Sequence, residues 1–292
     1  MNRAWLALIT CYILWGIFPI FIYQVVAEMN NWEFLFNRFL FSLILLVIYY
    51  AYYGKLKANF KNIFAKKNIL NALLTGAFLA MNYFLYIVAV HIGESNQASF
   101  GYFLSPIIQA GFGVLLFKEK LDIWKITAFC FAALAVLYQL VLGNLSILAL
   151  AISLPFVIYV VIRKKLEIPP VFGFLCEMFW VSLIILPFWA IFFAKGINFN
   201  YLENIPKSLF YCFFAGAFTV IPFVLYLYGT QKLPLNLVAL SQYSSSFLQL
   251  LVAIFYLKEN ITADRWVSFI LIWIGLGIYS VHLLINLKRE LK

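Results

Sequence analysis

Apolar residues run along this chain in stretches of about the length that carries a helix across a bilayer, close to 20 residues. Short polar segments separate them. The pattern predicts ten spans, at 4–26, 33–53, 69–91, 98–117, 124–142, 145–162, 171–194, 208–230, 237–257 and 266–287. Only Gly143-Asn144 divides the fifth from the sixth. Without that break the run is far too long for one crossing.

The pattern also repeats. Adding 140 to a residue number in the stretch 97–119, QASFGYFLSPIIQAGFGVLLFKE, reaches its counterpart in 237–259, LVALSQYSSSFLQLLVAIFYLKE. Ser105 falls on Ser245, Gln109 on Gln249 and Lys118-Glu119 on Lys258-Glu259. The same offset carries Gly76-Ala77-Phe78 onto Gly216-Ala217-Phe218 and Ser42-Leu43-Ile44 onto Ser182-Leu183-Ile184. The chain reads as two copies of one unit, 1–143 and 144–292. Five spans per copy is an odd number, so the second copy is expected inverted in the membrane. The expected fold is an all-α membrane protein of ten transmembrane helices in two inverted five-helix repeats.

Within the repeated stretch each copy carries polar residues three and four apart: Tyr102, Ser105 and Gln109 in the first, Gln242, Ser245 and Gln249 in the second. Such spacings share one face of a helix. A polar face on an apolar span needs a neighbouring helix or a watery cavity to look at. Interhelical hydrogen bonding explains any one of these residues. Two related stripes favour a shared central cavity.

Composition sharpens this picture. Hydrophobic residues make up 65% of the chain and charged residues 11%, against about 25% charged in soluble domains. The formal net charge of +10 would suggest nucleic acid in a soluble protein; here the basic residues mark topology. With the N-terminus inside, sixteen of the 21 basic residues fall in inside segments and four in outside loops, while Arg38 lies within a span. That bias places both termini in the cytoplasm and the chain, multi-pass, in the cytoplasmic membrane. The first apolar run is longer than a signal-peptide core and lacks a cleavage pattern, so it reads as a retained span. Its expected partners are the lipid bilayer and a small-molecule substrate, with no nucleic acid; oligomeric state is left open.

Two ionisable residues stand inside spans. Arg38 lies in the second, near its outer end, and Glu177 in the seventh, near its inner end. Charges at such depth face a cavity or a partner. Their levels differ, so a direct Arg38–Glu177 salt bridge is not expected. Arg38 reads either as snorkelling to the headgroups or as a counter-charge for an anionic substrate or for Glu33. Glu177 reads either as a hydrogen-bonded structural carboxyl or as a protonation site that couples transport to protons. Asn82 and Tyr86 share a face of the third span, and Tyr12 and Trp15 offer aromatic surface in the first, where Gly16 and Pro19 suggest a flexible segment. Lys118-Glu119 and Lys258-Glu259 close their spans either as helix-end charges or as gate contacts. The cysteines, Cys11, Cys130, Cys176 and Cys212, fall in apolar runs without a CxxC and are expected free and buried. His91 near Glu94, and His282, are too few and too far apart for a metal site. No cofactor is expected. HExxH, GxSxG and phosphate-loop patterns are absent, which argues against an enzyme.

Several of these residues, in order, resemble a known group. They are LWGIFP at 14–19, Glu33 with Leu35 and Arg38, Asn82 with Ala89-Val90, QASFGYFLSP at 97–106, and Glu119 with Leu121. Glu177, GAFTVIP at 216–222, LPL at 233–235, Gln242-Tyr243 and Glu259 complete the set. Over nearly its whole length the chain resembles the drug/metabolite transporter superfamily with two EamA-type repeats, and within it the RarD-like permeases. It departs from that pattern at Asn37, where a histidine is common, and at Met178, where threonine is. The resemblance implies ten helices, a central cavity lined mainly by spans 1, 3, 4, 6, 8 and 9, and spans 5 and 10 at the periphery. Similar proteins are described as chloramphenicol-sensitivity permeases. The expected function is a secondary transporter moving a small metabolite or drug by alternating access, with export as the direction. Arg38, Asn82, Tyr102, Ser105, Gln109, Gln242, Ser245 and Gln249 are the expected substrate contacts, and Glu177 the candidate for coupling. Two other readings stand beside it: a lipid or lipid-linked flippase, with greasy cavity walls, and a non-transporting membrane scaffold or sensor, with a filled centre.

Overall fold

The computed structural model describes residues 2–26, 31–55, 61–91, 95–143, 147–194, 205–256, 258 and 262–290. They contain ten long helices. These are α1 (Asn2–Val26), α2 (Asn31–Tyr52), α3 (Lys66–His91), α4 (Ser95–Phe117) and α5 (Ile123–Val141), followed by α6 (Ile147–Leu166), α7 (Pro170–Ala194), α8 (Ile205–Lys232), α9 (Leu235–Phe255) and α10 (Ala263–Glu290). No strand occurs among the described residues. Eight of the helices are long and apolar enough to cross a membrane. The exceptions are α4, whose described apolar stretch is Leu104–Phe117, and α9, where Gln242, Gln249 and four serines dilute the hydropathy. The remaining surface is apolar: Leu6, Ile9, Ile48, Leu115, Leu137 and Val141 all point outward. In water that surface would aggregate; in lipid it is solvated, and the chain is a multi-pass membrane protein.

Local chemistry sets the helix ends. Asp122 caps α5 by accepting the Lys125 amide at 2.9 Å. Gly143, at φ 72°, turns the chain after α5. Lys118 and Lys258 leave α4 and α9 with φ of 52° and 54°. These left-handed exits, 140 residues apart, put the same turn at the same place in both halves. Glycine inside a helix serves close packing. A Cβ on Gly16 would come within 2.5 Å of the Leu248 Cβ, so this glycine lets α9 lie against α1. The segment expected to be flexible there is continuous helix through Pro19.

The halves interleave. The chief contacts have counterparts five helices on: α4 lies along α6 as α9 lies along α1, α3 along α6 as α8 along α1, and α2 along α8 as α7 along α3. The pairs α2–α7, α4–α9 and α5–α10 join a helix to its own counterpart. The main core draws Leu8 and Tyr12 from α1, Phe39 from α2, Tyr159 from α6, Phe174 from α7 and Tyr226 from α8. The pair α5 and α10 stands aside from this core. It is joined through the small residues Ala128, Ala132 and Ala135 and by Gln139, whose amide donates to the Ser268 hydroxyl at 2.6 Å and the Asp264 carbonyl at 2.9 Å.

Two expectations need correction. Cys130 is exposed on α5, not buried; the other three cysteines are buried and free. Arg163, read as a loop residue after a span ending at 162, belongs to α6 and is 1% exposed. The apolar run ends before it, but the buried face does not: Ile152, Phe156, Tyr159 and Arg163 follow at helical spacing. That spacing was the available signal.

Candidate functional site

A cavity of about 100 Å³, open at its mouth, lies between the halves. It sits in the end of the bundle away from the lysine-rich loops. Trp15, Phe18 and Pro19 of α1 form one wall with Arg38 of α2, and Asn82, Tyr83 and Tyr86 of α3 stand beside Tyr102 of α4. Phe156 of α6 and Phe223 of α8 meet Gln242, Ser245, Ser246 and Gln249 of α9. Among the described residues the peripheral pair α5–α10 contributes nothing to the wall, and α2 joins it through Arg38.

Six of the eight expected contacts therefore share one cavity. The other two lie behind its wall. Ser105 is fully buried and donates to the Gly101 carbonyl at 3.0 Å. Gln109 is also fully buried, its Oε1 accepting the Tyr226 hydroxyl at 3.0 Å. Gln109 is separated from the cavity by an aromatic floor: its partner Tyr226 lies 5.0 Å from the Trp15 ring, which is 5.3 Å from Phe223. Tyr12 is held below by donating to the Val238 carbonyl at 2.9 Å. The α9 stripe faces the open space instead. Its Gln249 Nε2 donates to the Trp15 carbonyl at 3.2 Å, tying α9 to α1.

Arg38 does not snorkel. It is 6% exposed, and its Nε donates to the Thr219 hydroxyl at 2.6 Å. The guanidinium carbon lies 4.0 Å from the Tyr83 ring centroid and 5.1 Å from that of Phe18. Among the described residues it forms no ion pair with a carboxylate. Nor does it meet Glu177, which has its own partners: Arg163 Nε at 3.4 Å, the Thr75 hydroxyl at 2.6 Å and the Tyr159 hydroxyl at 3.0 Å.

This second cluster belongs to a seal at the lysine-rich end. Arg163 lies flat over Gly173, where a Cβ would fall 1.8 Å from its Nη1, and donates to the Pro170 carbonyl at 3.2 Å. Lys164 donates to the carbonyls of Thr230 and Leu233, at 2.8 and 2.7 Å, where α8 ends. Glu119 accepts the amides of Leu235 and Asn236, where α9 begins. An ammonium at a helix C-terminus and a carboxylate at an N-terminus both meet orphaned backbone groups and the favourable end of the dipole. Lys164 and Glu119 also approach each other at 4.0 Å. His282 stacks on Trp124 with centroids 5.0 Å apart, and no metal-binding cluster occurs among the described residues. The His91 side chain, Glu94 and Glu259 fall outside the described residues.

A helical membrane protein with a polar cavity between interleaved halves, sealed at one end, has the anatomy of a membrane transporter. The profile of the EamA-like transporter family matches residues 2–141 and again 143–281, and the chain belongs to that family. It is similar to protein RarD of Escherichia coli, at 27% identity over 100% of this chain and 98% of that one. It is similar at 28% to an uncharacterized transporter of Pseudomonas aeruginosa, over 99% and 97% of the two chains. The uncharacterized transporter YojE of Bacillus subtilis is likewise 28% identical, over 92% and 90%. A solved crystal structure superposes with a TM-score of 0.68 at 15% identity, covering 95% of this chain and 97% of the other. That likeness is one of fold.

Proposed function

We propose that this chain is a secondary transporter that moves a small molecule across the cytoplasmic membrane by alternating access, in the export direction, with both termini in the cytoplasm. The observation that carries the reading is the unequal fate of two equivalent stripes. On α9 all three stripe residues line an open cavity; on α4 only Tyr102 does, while Ser105 is fully buried and Gln109 lies behind Tyr226. Two inverted repeats that exchange conformations would expose the second stripe when they bury the first. The pairing of the chief helix contacts with others five helices on supports that exchange. A scaffold has no use for the central space. A flippase for acyl chains has no use for Arg38, Asn82, Gln242 and Gln249 on the wall.

The test is a thermal-shift screen of the purified protein against amino acids, nucleotides, nucleotide sugars and amphiphilic drugs. It is repeated on Gln242→Ala combined with Gln249→Ala. A ligand that binds only the folded form raises the apparent melting temperature, by an amount set by its concentration relative to Kd. A stabilising ligand whose effect vanishes in the double variant is the expected result. A panel in which nothing stabilises, or in which the variant responds as the wild type does, counts against the reading.

A further inference from the structure

The cavity has a sign. Among the described residues its wall holds one permanently ionised group, Arg38, and no carboxylate. Among the described residues the other buried cation, Arg163, pairs with Glu177, and the partly buried Lys164 approaches Glu119. A buried guanidinium without a counter-charge is unfavourable in a membrane-embedded site. The contacts around Arg38 orient it without neutralising it: Tyr83 and Phe18 present ring faces, and Thr219 takes the Nε–H. That leaves the terminal N–H groups, which form the fork that matches a carboxylate. From Arg38 a strip of rings leads across the site. Tyr83 is 5.8 Å from Phe223, and Phe223 is 5.3 Å from Trp15, centroid to centroid.

We infer that the transported molecule is a small organic monoanion, its carboxylate on Arg38 and its flat apolar body along Tyr83, Phe223 and Trp15. The assignment rests on the reading of this cavity as the transport site. It carries a selection rule. A second negative charge would find no second cation among the described residues of the wall. An ammonium, alone or in a zwitterion, would find no carboxylate and would be repelled by Arg38. Asn82, Gln242 and Gln249 are neutral and serve a hydroxyl or carbonyl on the substrate equally well.

Four probes of one shape and different charge test this: 3-phenylpropionate, 3-phenylpropanamide, phenylalanine and 3-phenylpropylamine. Each is titrated into the purified full-length protein by calorimetry and thermal shift. The acid is expected to bind about tenfold or more tightly than the amide, as a charge-assisted bidentate contact should, with the amine weakest. Arg38→Gln should bring the acid down to the amide, and Arg38→Lys should fall between, because it keeps the charge and loses the fork. Equal binding of acid and amide, preference for the amine, no binding by any of the four, or an acid affinity unchanged in Arg38→Gln each overturns the assignment. The charge series on the wild type decides the matter even where Arg38→Gln does not fold. A ligand from the broad screen that needs Gln242 and Gln249 but carries no negative charge would sink the monoanion and leave the transport reading standing.

Discussion

Arg38 and Glu177 sit on α2 and α7, helices that occupy equivalent places in the two halves. Each bonds to a threonine on the helix opposite, Arg38 to Thr219 on α8 and Glu177 to Thr75 on α3. There the likeness ends. Glu177 has Arg163 beside it and a tyrosine hydroxyl on its other oxygen, in the sealed end. Arg38 has rings around it and an open cavity in front, with no carboxylate paired to it among the described residues. Compensated charge holds the bundle together, whereas uncompensated charge waits for a ligand. Changing a residue at the sealed end should alter stability and the balance of states; at the open end it should alter binding.

The largest effect belongs to the sealed pair. Arg163→Leu leaves Glu177 buried with two hydroxyls and no cation. Breaking a buried ion pair from one side typically costs about 3–5 kcal/mol, and chemical denaturation in detergent should show a loss of that order. Adding Glu177→Gln to Arg163→Leu should recover much of it, since no lone charge then remains. A double variant as unstable as the single one would show that packing over Gly173, not charge, is what Arg163 supplies.

Much of this was legible in the sequence. The apolar runs match the helices to within a few residues at most ends, because lipid imposes length and hydropathy on each crossing segment. The stripes were legible because polar residues in such runs are few. What escaped was which stripe faces open space. Gln109 and Gln249 are equivalent in sequence, and only the conformation of the whole bundle separates them. Arg163 escaped because an apolar run was taken to end at the first charge. In fact α6 carries all three basic residues of that run, and its buried face continues through Arg163 to a carboxylate on α7. Arg38 was legible as a residue to explain, but its neighbours Tyr83, Phe18 and Thr219 come from three other helices, and their meeting is tertiary.

The next effect concerns the hold of Glu119 on the start of α9. Glu119→Gln removes a carboxylate from a helix N-terminus, an interaction worth about 1 kcal/mol. It should therefore shift the balance between sealed and opened forms about fivefold. Thiol labelling reads this. In a Cys130→Ser background, which removes the exposed thiol, Gln249→Cys should label readily and Gln109→Cys slowly. Adding Glu119→Gln should speed the second and slow the first. If both positions speed up together, the variant has loosened the bundle and the two stripes are not exchanging.

The smallest effect separates orientation from charge at the open end. Thr219 accepts the Arg38 Nε–H and donates to the Ala215 carbonyl one turn back. Thr219→Val keeps the shape and takes away the acceptor. One buried donor then loses its partner, for about 1–2 kcal/mol of stability. The guanidinium keeps its charge and its ring contacts but is no longer held in plane. The 3-phenylpropionate affinity should fall only a few-fold, well short of the loss in Arg38→Gln, while the amide is unaffected. Equal losses in the two variants would mean that the direction of the fork, more than its charge, determines binding at Arg38.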